Sequence, residues 1–214
     1  MPTSQKRKKL STACPNCHQE NRLIKNGFVY VAGVDEAGRG AWAGPIVAGA
    51  VILNPKLKIK GVKDSKLLSP KARNELAKRI IDLSLAWSFG VVNQKIIDKI
   101  GLGAANVLAM QIALKNLAIK PDYILADGIC FKGGKIPFSN VIGGDRKISS
   151  IAAASIIAKV KRDEIMKKFS SKYYQYGFAQ HKGYGTKLHR QMIEKYNICT
   201  LHRKSFKPIT DLLK

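Results

Sequence analysis

The chain has 214 residues, with 38 Lys+Arg against 14 Asp+Glu and a formal net charge of +24 at pH 7. Its hydrophobic fraction of 45% excludes a mainly disordered chain, and no run approaches the ~18 apolar residues of a membrane span. Four Cys spread along the whole length form no disulfide framework, and the basic start MPTSQKRKKL has no apolar stretch behind it, so the expectation is a reduced, cytoplasmic protein of one domain with a small appendage.

In chain order, residues 1–27 read as that appendage: a basic arm, the element Cys14-Pro15-Asn16-Cys17-His18, and polar residues up to Gly27. The globular part, 28–214, opens with a β-branched and aromatic strand over Phe28–Val34, a turn at Ala37-Gly38-Arg39-Gly40, and a second strand over Ile46–Leu53. A basic loop leads to Ser69-Pro70, where proline suits the first turn of a helix reaching about Ser84. A strand over Trp87–Val92 and helices over Gln94–Ile100 and Ala104–Ala118 follow. Tyr123–Ala126 and Phe138–Ile142 read as short strands. The longest helix spans Ser149–Phe169, with Ala152, Ala153, Ala154, Ser155 and Ala158 small enough to pack close to a sheet. Gly183-Tyr184-Gly185 opens a last helix to about Tyr196, and the chain ends basic. Early strands followed by strand–helix alternation give an α/β class, a mixed sheet flanked by helices.

A pI near 10.1 concerns partners more than fold. The arm from Gln5 to Lys9 carries four of the positive charges, which leaves twenty in the body and points to a polyanion. In so basic a chain the positions of the acids are informative. Asp35-Glu36 closes the first strand, Asp127 follows Tyr123–Ala126, and Asp145 follows Phe138–Ile142, each time at a glycine turn. Any one of these acids alone is ordinary turn or cap chemistry. Together, delivered to one sheet edge, they make an anionic pocket whose members repel one another unless a cation sits among them. Hard oxygen donors select Mg²⁺ or Mn²⁺, and two such ions serve phosphodiester hydrolysis. Because neighbouring strand residues point to opposite faces, Asp35 and Glu36 share a site only if Glu36 has left the strand.

The segments GVDEAGRGAWAGPIVAGAVIL (33–53), KDSKLLSP (63–70), ADG (126–128), GGDRKISSIAAASIIAKVKRD (143–163), HKGYGTKLH (181–189) and HRKSF (202–206) resemble ribonuclease HII, the prokaryotic type 2 ribonuclease H. One departure is Ala41, where the family pattern has proline. The resemblance implies a ribonuclease H-like fold with a C-terminal helical extension. It implies a metal-dependent endonuclease that cuts the RNA strand of RNA–DNA hybrids and nicks 5′ of single ribonucleotides in duplex DNA. By motif match, Asp35, Glu36 and Asp127 are metal ligands for a two-metal Mn²⁺ or Mg²⁺ site, and Asp145 completes the catalytic acids. Asp163, 18 residues beyond Asp145 and roughly 27 Å away along a helix, stays outside this set. The resemblance assigns sensing of the 2′-OH to Gly38, Arg39, Gly40 and Tyr184, which without it read as a plain turn and an interfacial core aromatic. Lys66, Thr186 and Lys187 are phosphate contacts or, for the lysines, a solvated face. His202-Arg203-Lys204 fits a phosphate clamp or a basic tail.

Two other readings compete. Ribonuclease HIII shares fold and chemistry but carries a sizeable extra N-terminal domain, for which residues 1–27 leave no room. A non-catalytic RNA-binding protein suits the net charge, yet gains nothing from acids on its binding face. The lone CxxC at Cys14/Cys17 has no second half, with Cys130 and Cys199 distant, so structural zinc is not expected and an unligated tail is. The expected partners are RNA–DNA hybrids and ribonucleotide-containing DNA, with no membrane. The expected state is a monomer, and residues 207–214 lack the paired aromatics of a sliding-clamp motif.

Overall fold

The computed structural model describes residues 15–57, 59, 61–62, 68–129, 131–132 and 134–212. The basic arm, Cys14, Lys66 and Cys130 lie outside the described residues. A five-stranded mixed sheet, in the order β3-β2-β1-β4-β5, forms the centre. It is built from β1 (Val31–Ala37), β2 (Ile46–Leu53), β3 (Ser84–Val92), β4 (Tyr123–Asp127) and β5 (Phe138–Val141). β1 pairs antiparallel with β2 and parallel with β4, which pairs parallel with β5.

Between the strands run α1 (His18–Lys25), α2 (Pro70–Leu83), α3 (Gln94–Ile100), α4 (Leu102–Lys115), α5 (Ser149–Lys172), α6 (Phe178–His181), α7 (Lys187–Tyr196) and α8 (Lys207–Thr210). Ser69 caps α2 by accepting from the Ala72 N–H, with Pro70 in its first turn. α4 covers one sheet face, where Ala32, Val34, Ala48, Ala50 and Ile124 meet Ala105, Ala109 and Met110. α5 covers the other, aided by α2, where Val51 meets Ala152, Ala153, Ala154 and Ile156.

The small residues of α5 do bring it close to the sheet, and two strand glycines complete the approach. A Cβ on Gly33 or Gly49 would stand closer than 3.0 Å to the α5 backbone at Ser150 or Ala154. Residues 174–206 and the far end of α5 form a second, aromatic cluster around Met166, Tyr176, Phe178 and Leu201, the C-terminal helical extension.

β1 starts and ends three residues later than the sequence suggests, because β2 keeps pairing through Ala37↔Val47. On its other side the pairing with β4 stops at Val34↔Ala126. Asp35 and Glu36 therefore sit on strand with a backbone partner on one side only, and the open side faces the end of β4.

The globular part also begins earlier than Phe28. Asn16 bridges to Ile148, its carbonyl accepting from the Ser149 N–H at 3.0 Å, and the buried Glu20 carboxylate accepts from the Ser150 N–H at 2.8 Å. Ile148, at the head of α5, supplies no side-chain cap of its own. Two first-turn amides of a 24-residue helix are thus satisfied by the segment taken for a polar appendage. Burial raises the Glu20 pKa.

Candidate active site

Strand alternation decides which way each acid points. Asp35 lies on the α5 face with Gly33, and Ser155 of α5 hydrogen-bonds its carboxylate. Glu36 lies on the α4 face with Ala32 and Val34, and Asn106 of α4 hydrogen-bonds it. The two nevertheless meet in one cleft at the sheet edge, without Glu36 leaving the strand, because neither is covered on the β4 side. Asp127 ends β4, where its Oδ1 accepts from the Gly144 N–H at 2.6 Å. That bond ties β4 to the 3-10 turn Gly144–Arg146, which presents the buried Asp145.

Asp35, Glu36, Asp127 and Asp145 line the same cleft of about 250 Å³, together with Gly38, Arg39, Gly40, Ser155, Lys159 and Tyr184. Burial, with Glu36 and Asp127 alongside, raises Asp35 well above the usual carboxylate range. Burial also raises Glu36, helped by Asp127 and opposed by the Asn106 hydrogen bond and by Arg39. The Glu36 N–H donates to Asp35 Oδ1 at 2.7 Å, which fixes that carboxylate's rotamer. Among the described residues no three His, Cys, Asp or Glu side chains converge into a ready-made metal sphere. The donor set itself is all oxygen and mutually repulsive, which suits a hard divalent cation.

Over the cleft, the buried Arg203 guanidinium holds the loop Gly38–Gly40 from behind, and the buried Arg162 holds the segment just beyond it. Arg203 donates to the carbonyls of Gly38 at 2.8 Å, Arg39 at 3.0 Å and Gly44 at 2.9 Å. Arg162 donates to Pro45 at 3.0 Å and Ala43 at 3.2 Å. The Ala41 N–H donates to the Gly38 carbonyl at 3.2 Å and closes the turn. Arg39 itself remains about half exposed, its side chain 3.9 Å from Glu36. Facing the loop, Gly183–Gly185 forms a strap laced to it, since the Gly183 carbonyl accepts from the N–H groups of Trp42 at 2.8 Å and Ala43 at 3.2 Å. The Tyr184 ring lies over the Arg162 guanidinium at 5.1 Å and near Lys159 Nζ at 5.5 Å.

The remaining described residues singled out in the sequence stand outside the cleft. Thr186 and Lys187 are exposed, Thr186 as the cap of α7 through the His189 N–H, and neither lines the cleft. Asp163 lies outside the acid set, paired with Lys159 at 2.7 Å and Arg73 at 3.7 Å. His202 and Arg203 are buried, so they form no phosphate clamp; their nitrogens turn inward to protein partners. The sequence reading missed Ser155, Asn106, Lys159 and Arg162.

The ribonuclease HII family model matches residues 32–209. Similar proteins include ribonuclease HII of Moorella thermoacetica, 50% identical over 188 residues that cover 88% of this chain and 91% of that one. The ribonuclease HII of Caldicellulosiruptor bescii is 48% identical over 189 residues, covering 87% and 91%. Among solved structures, ribonuclease H2 from Pyrococcus horikoshii OT3 aligns with a TM-score of 0.76 at 29% identity, over 86% of this chain and 97% of that one. The matched span holds every acid of the cleft, the clamped loop and the strap, and with them the chain belongs to the ribonuclease HII family, a ribonuclease H endonuclease.

Proposed function

We propose that the cleft hydrolyses the RNA strand of RNA–DNA hybrids and nicks duplex DNA on the 5′ side of a single embedded ribonucleotide, leaving a 5′-phosphate. The observation that carries this reading is that four carboxylates line one cleft beneath a loop and an aromatic strap in a chain of charge +24. Asp35, Glu36 and Asp127 would hold Mg²⁺ or Mn²⁺, with Asp145 completing the set. A divalent cation there supplies activation of water and neutralisation of the leaving oxygen.

The protein's own groups position the substrate. In a trans peptide the N–H points opposite to the C=O. With the Gly38 and Arg39 carbonyls drawn back by Arg203, the N–H groups of Arg39 and Gly40 face the other way, toward the ribose and phosphate. Arg39 adds a mobile fork for a phosphate oxygen. Tyr184 places a ring against the neighbouring sugar and a hydroxyl near the 2′-OH, the group that separates RNA from DNA. Exposed Thr186 and Lys187 at the start of α7 extend the phosphate track, and Lys66 is assigned a phosphate contact from its sequence segment alone.

An end-labelled duplex holding one ribonucleotide tests the reading with Mg²⁺, with Mn²⁺ and with chelator. A metal-dependent nick 5′ of the ribonucleotide, absent from an all-DNA duplex, is expected. Asp127→Asn should retain binding and lose cleavage by more than the ~10–100-fold typical of an outer-sphere partner. Cleavage that survives chelator or this substitution overturns the assignment.

A further inference from the structure

Behind the strap lies a group of side chains that the hydrolytic reading leaves unused. His181 at the end of α6, His189 in α7 and His202 in the C-terminal loop are buried, His189 completely. They are enclosed by Tyr176, Phe178 and Trp42, and the His181 and His189 rings stack with centroids 4.3 Å apart. Imidazoles in such a cage are costly unless their nitrogens are hydrogen-bonded, and all six have a partner. His181 Nε2 meets the Tyr176 carbonyl at 2.6 Å and its Nδ1 accepts from the Gly183 N–H at 3.1 Å. His189 Nδ1 meets the Tyr184 carbonyl at 3.0 Å, and His189 Nε2 stands 3.1 Å from His202 Nε2. His202 Nδ1 faces the backbone of Cys199, 2.9 Å from its N–H and 3.2 Å from its carbonyl.

These partners fix the protons. A carbonyl only accepts, so His189 Nδ1 carries the hydrogen and, in the neutral ring, its Nε2 must accept. His202 Nε2 must then donate, which leaves His202 Nδ1 to accept from the Cys199 N–H. The chain thus runs one way, from Cys199 through His202 and His189 to the Tyr184 carbonyl. Burial first, with the neighbouring histidines, lowers His189 to about 3 and His202 to about 4, so both are neutral at working pH.

The end point of the chain is the residue that reaches over the cleft. The Tyr184 N–H is held by the His181 carbonyl at 3.0 Å, and its carbonyl also accepts from the Thr186 N–H at 2.8 Å. Trp42 and Ala43, which bind Gly183, lie just beyond the Gly38–Gly40 loop, so the strap and the loop are fastened at one set separation. We propose that His189 and His202 are positioning residues for ribonucleotide recognition, a directional pair of neutral imidazoles that fixes the backbone of Tyr184 and with it the gap between strap and loop. The inference rests on Tyr184 as the ribose sensor.

The test compares kcat/KM on a duplex with one ribonucleotide against kcat/KM on a long hybrid, in His189→Phe, His189→Asn and Tyr184→Ala. Phenylalanine fills the ring volume without a donor, whereas asparagine keeps an N–H near the Nδ1 position. The expected result is a fall of about tenfold in the ratio for His189→Phe, the scale of one buried hydrogen bond, with His189→Asn, which keeps the donor to Tyr184 but not the acceptor for His202, falling between His189→Phe and wild type. A folded His189→Phe protein with an unchanged ratio overturns the proposal. If Tyr184→Ala also leaves the ratio unchanged, the sensor reading itself fails. If only Tyr184→Ala lowers it, the relay alone fails. Nitrogen-15 spectra of the wild-type protein at pH 6.5 give an answer independent of any variant. His189 as the Nδ1–H tautomer and His202 as the Nε2–H tautomer are expected, and the opposite tautomer or a cationic ring at either position overturns the proposal.

Discussion

Asp35 is 5% exposed and shares its surroundings with Glu36 and Asp127, so the folded chain without a cation holds a charge that burial and its neighbours both disfavour. A carboxyl whose pKa is raised on folding binds more protons folded than unfolded, so its contribution to stability is fully present below the unfolded value of 3.8 and is lost as pH rises through the folded value. Asp35→Asn should therefore lose cleavage yet melt higher than wild type at pH 7.5 in chelator, by about 2–4 °C for each kcal/mol relieved. The gap should close near pH 4, and Mg²⁺ should raise the melting temperature of the wild type only. Thermal melts in chelator and in Mg²⁺ check this, and a wild type that melts higher than the variant in chelator at pH 7.5 contradicts it. The acids themselves were legible in the sequence because so basic a chain places few of them at strand ends. Their partners were not. A serine or asparagine inside a helix, such as Ser155 or Asn106, acquires a role only once that helix is known to face Asp35 or Glu36.

At the scale of elements, the contact of α5 with β1 and β2 sets how the acids stand. Gly49 pairs with Asp35 across β1 and β2, and a Cβ there would press on the Ala154 carbonyl and reach the Ala158 N–H. Gly49→Ala should cost about 1–3 kcal/mol of stability, the range of an overpacked core, and should lower kcat through the displaced helix that carries Ser155. Urea unfolding alongside steady-state kinetics checks this, and a midpoint equal to that of wild type shows that the helix has room to spare. The element order and most helix bounds could be read from periodicity, proline and glycine, because those signals are local. The end of β1 could not, since it is set by how far β2 continues beside it. α1 was missed because it is short and polar, and its only buried side chain is Glu20, a residue type that ordinarily marks a surface.

For the molecule as a whole, the acids of the cleft turn inward while Lys167, Lys168, Lys172, Lys187 and Lys195 are exposed. Binding of a hybrid duplex by Asp127→Asn should therefore be strongly salt-dependent, weakening at least about 1000-fold between 50 and 200 mM salt if six or more phosphates are neutralised. Fluorescence anisotropy across that range measures the slope, and a nearly flat slope would show that the surplus charge faces away from the substrate.

The guanidinium that holds the Gly38–Gly40 loop arrives from the far end of the chain, since Arg203 bonds to carbonyls 164 and 165 residues upstream. At about 5–20 residues per second, a ribosome exposes the loop many seconds before it makes the residue that locks it. Through that interval the acid-bearing strand β1 has emerged but the loop beside it has no brace, so a nascent chain next to messenger RNA is not yet a finished nuclease. Competence waits until Arg203 has emerged and closed its bonds to Gly38 and Arg39.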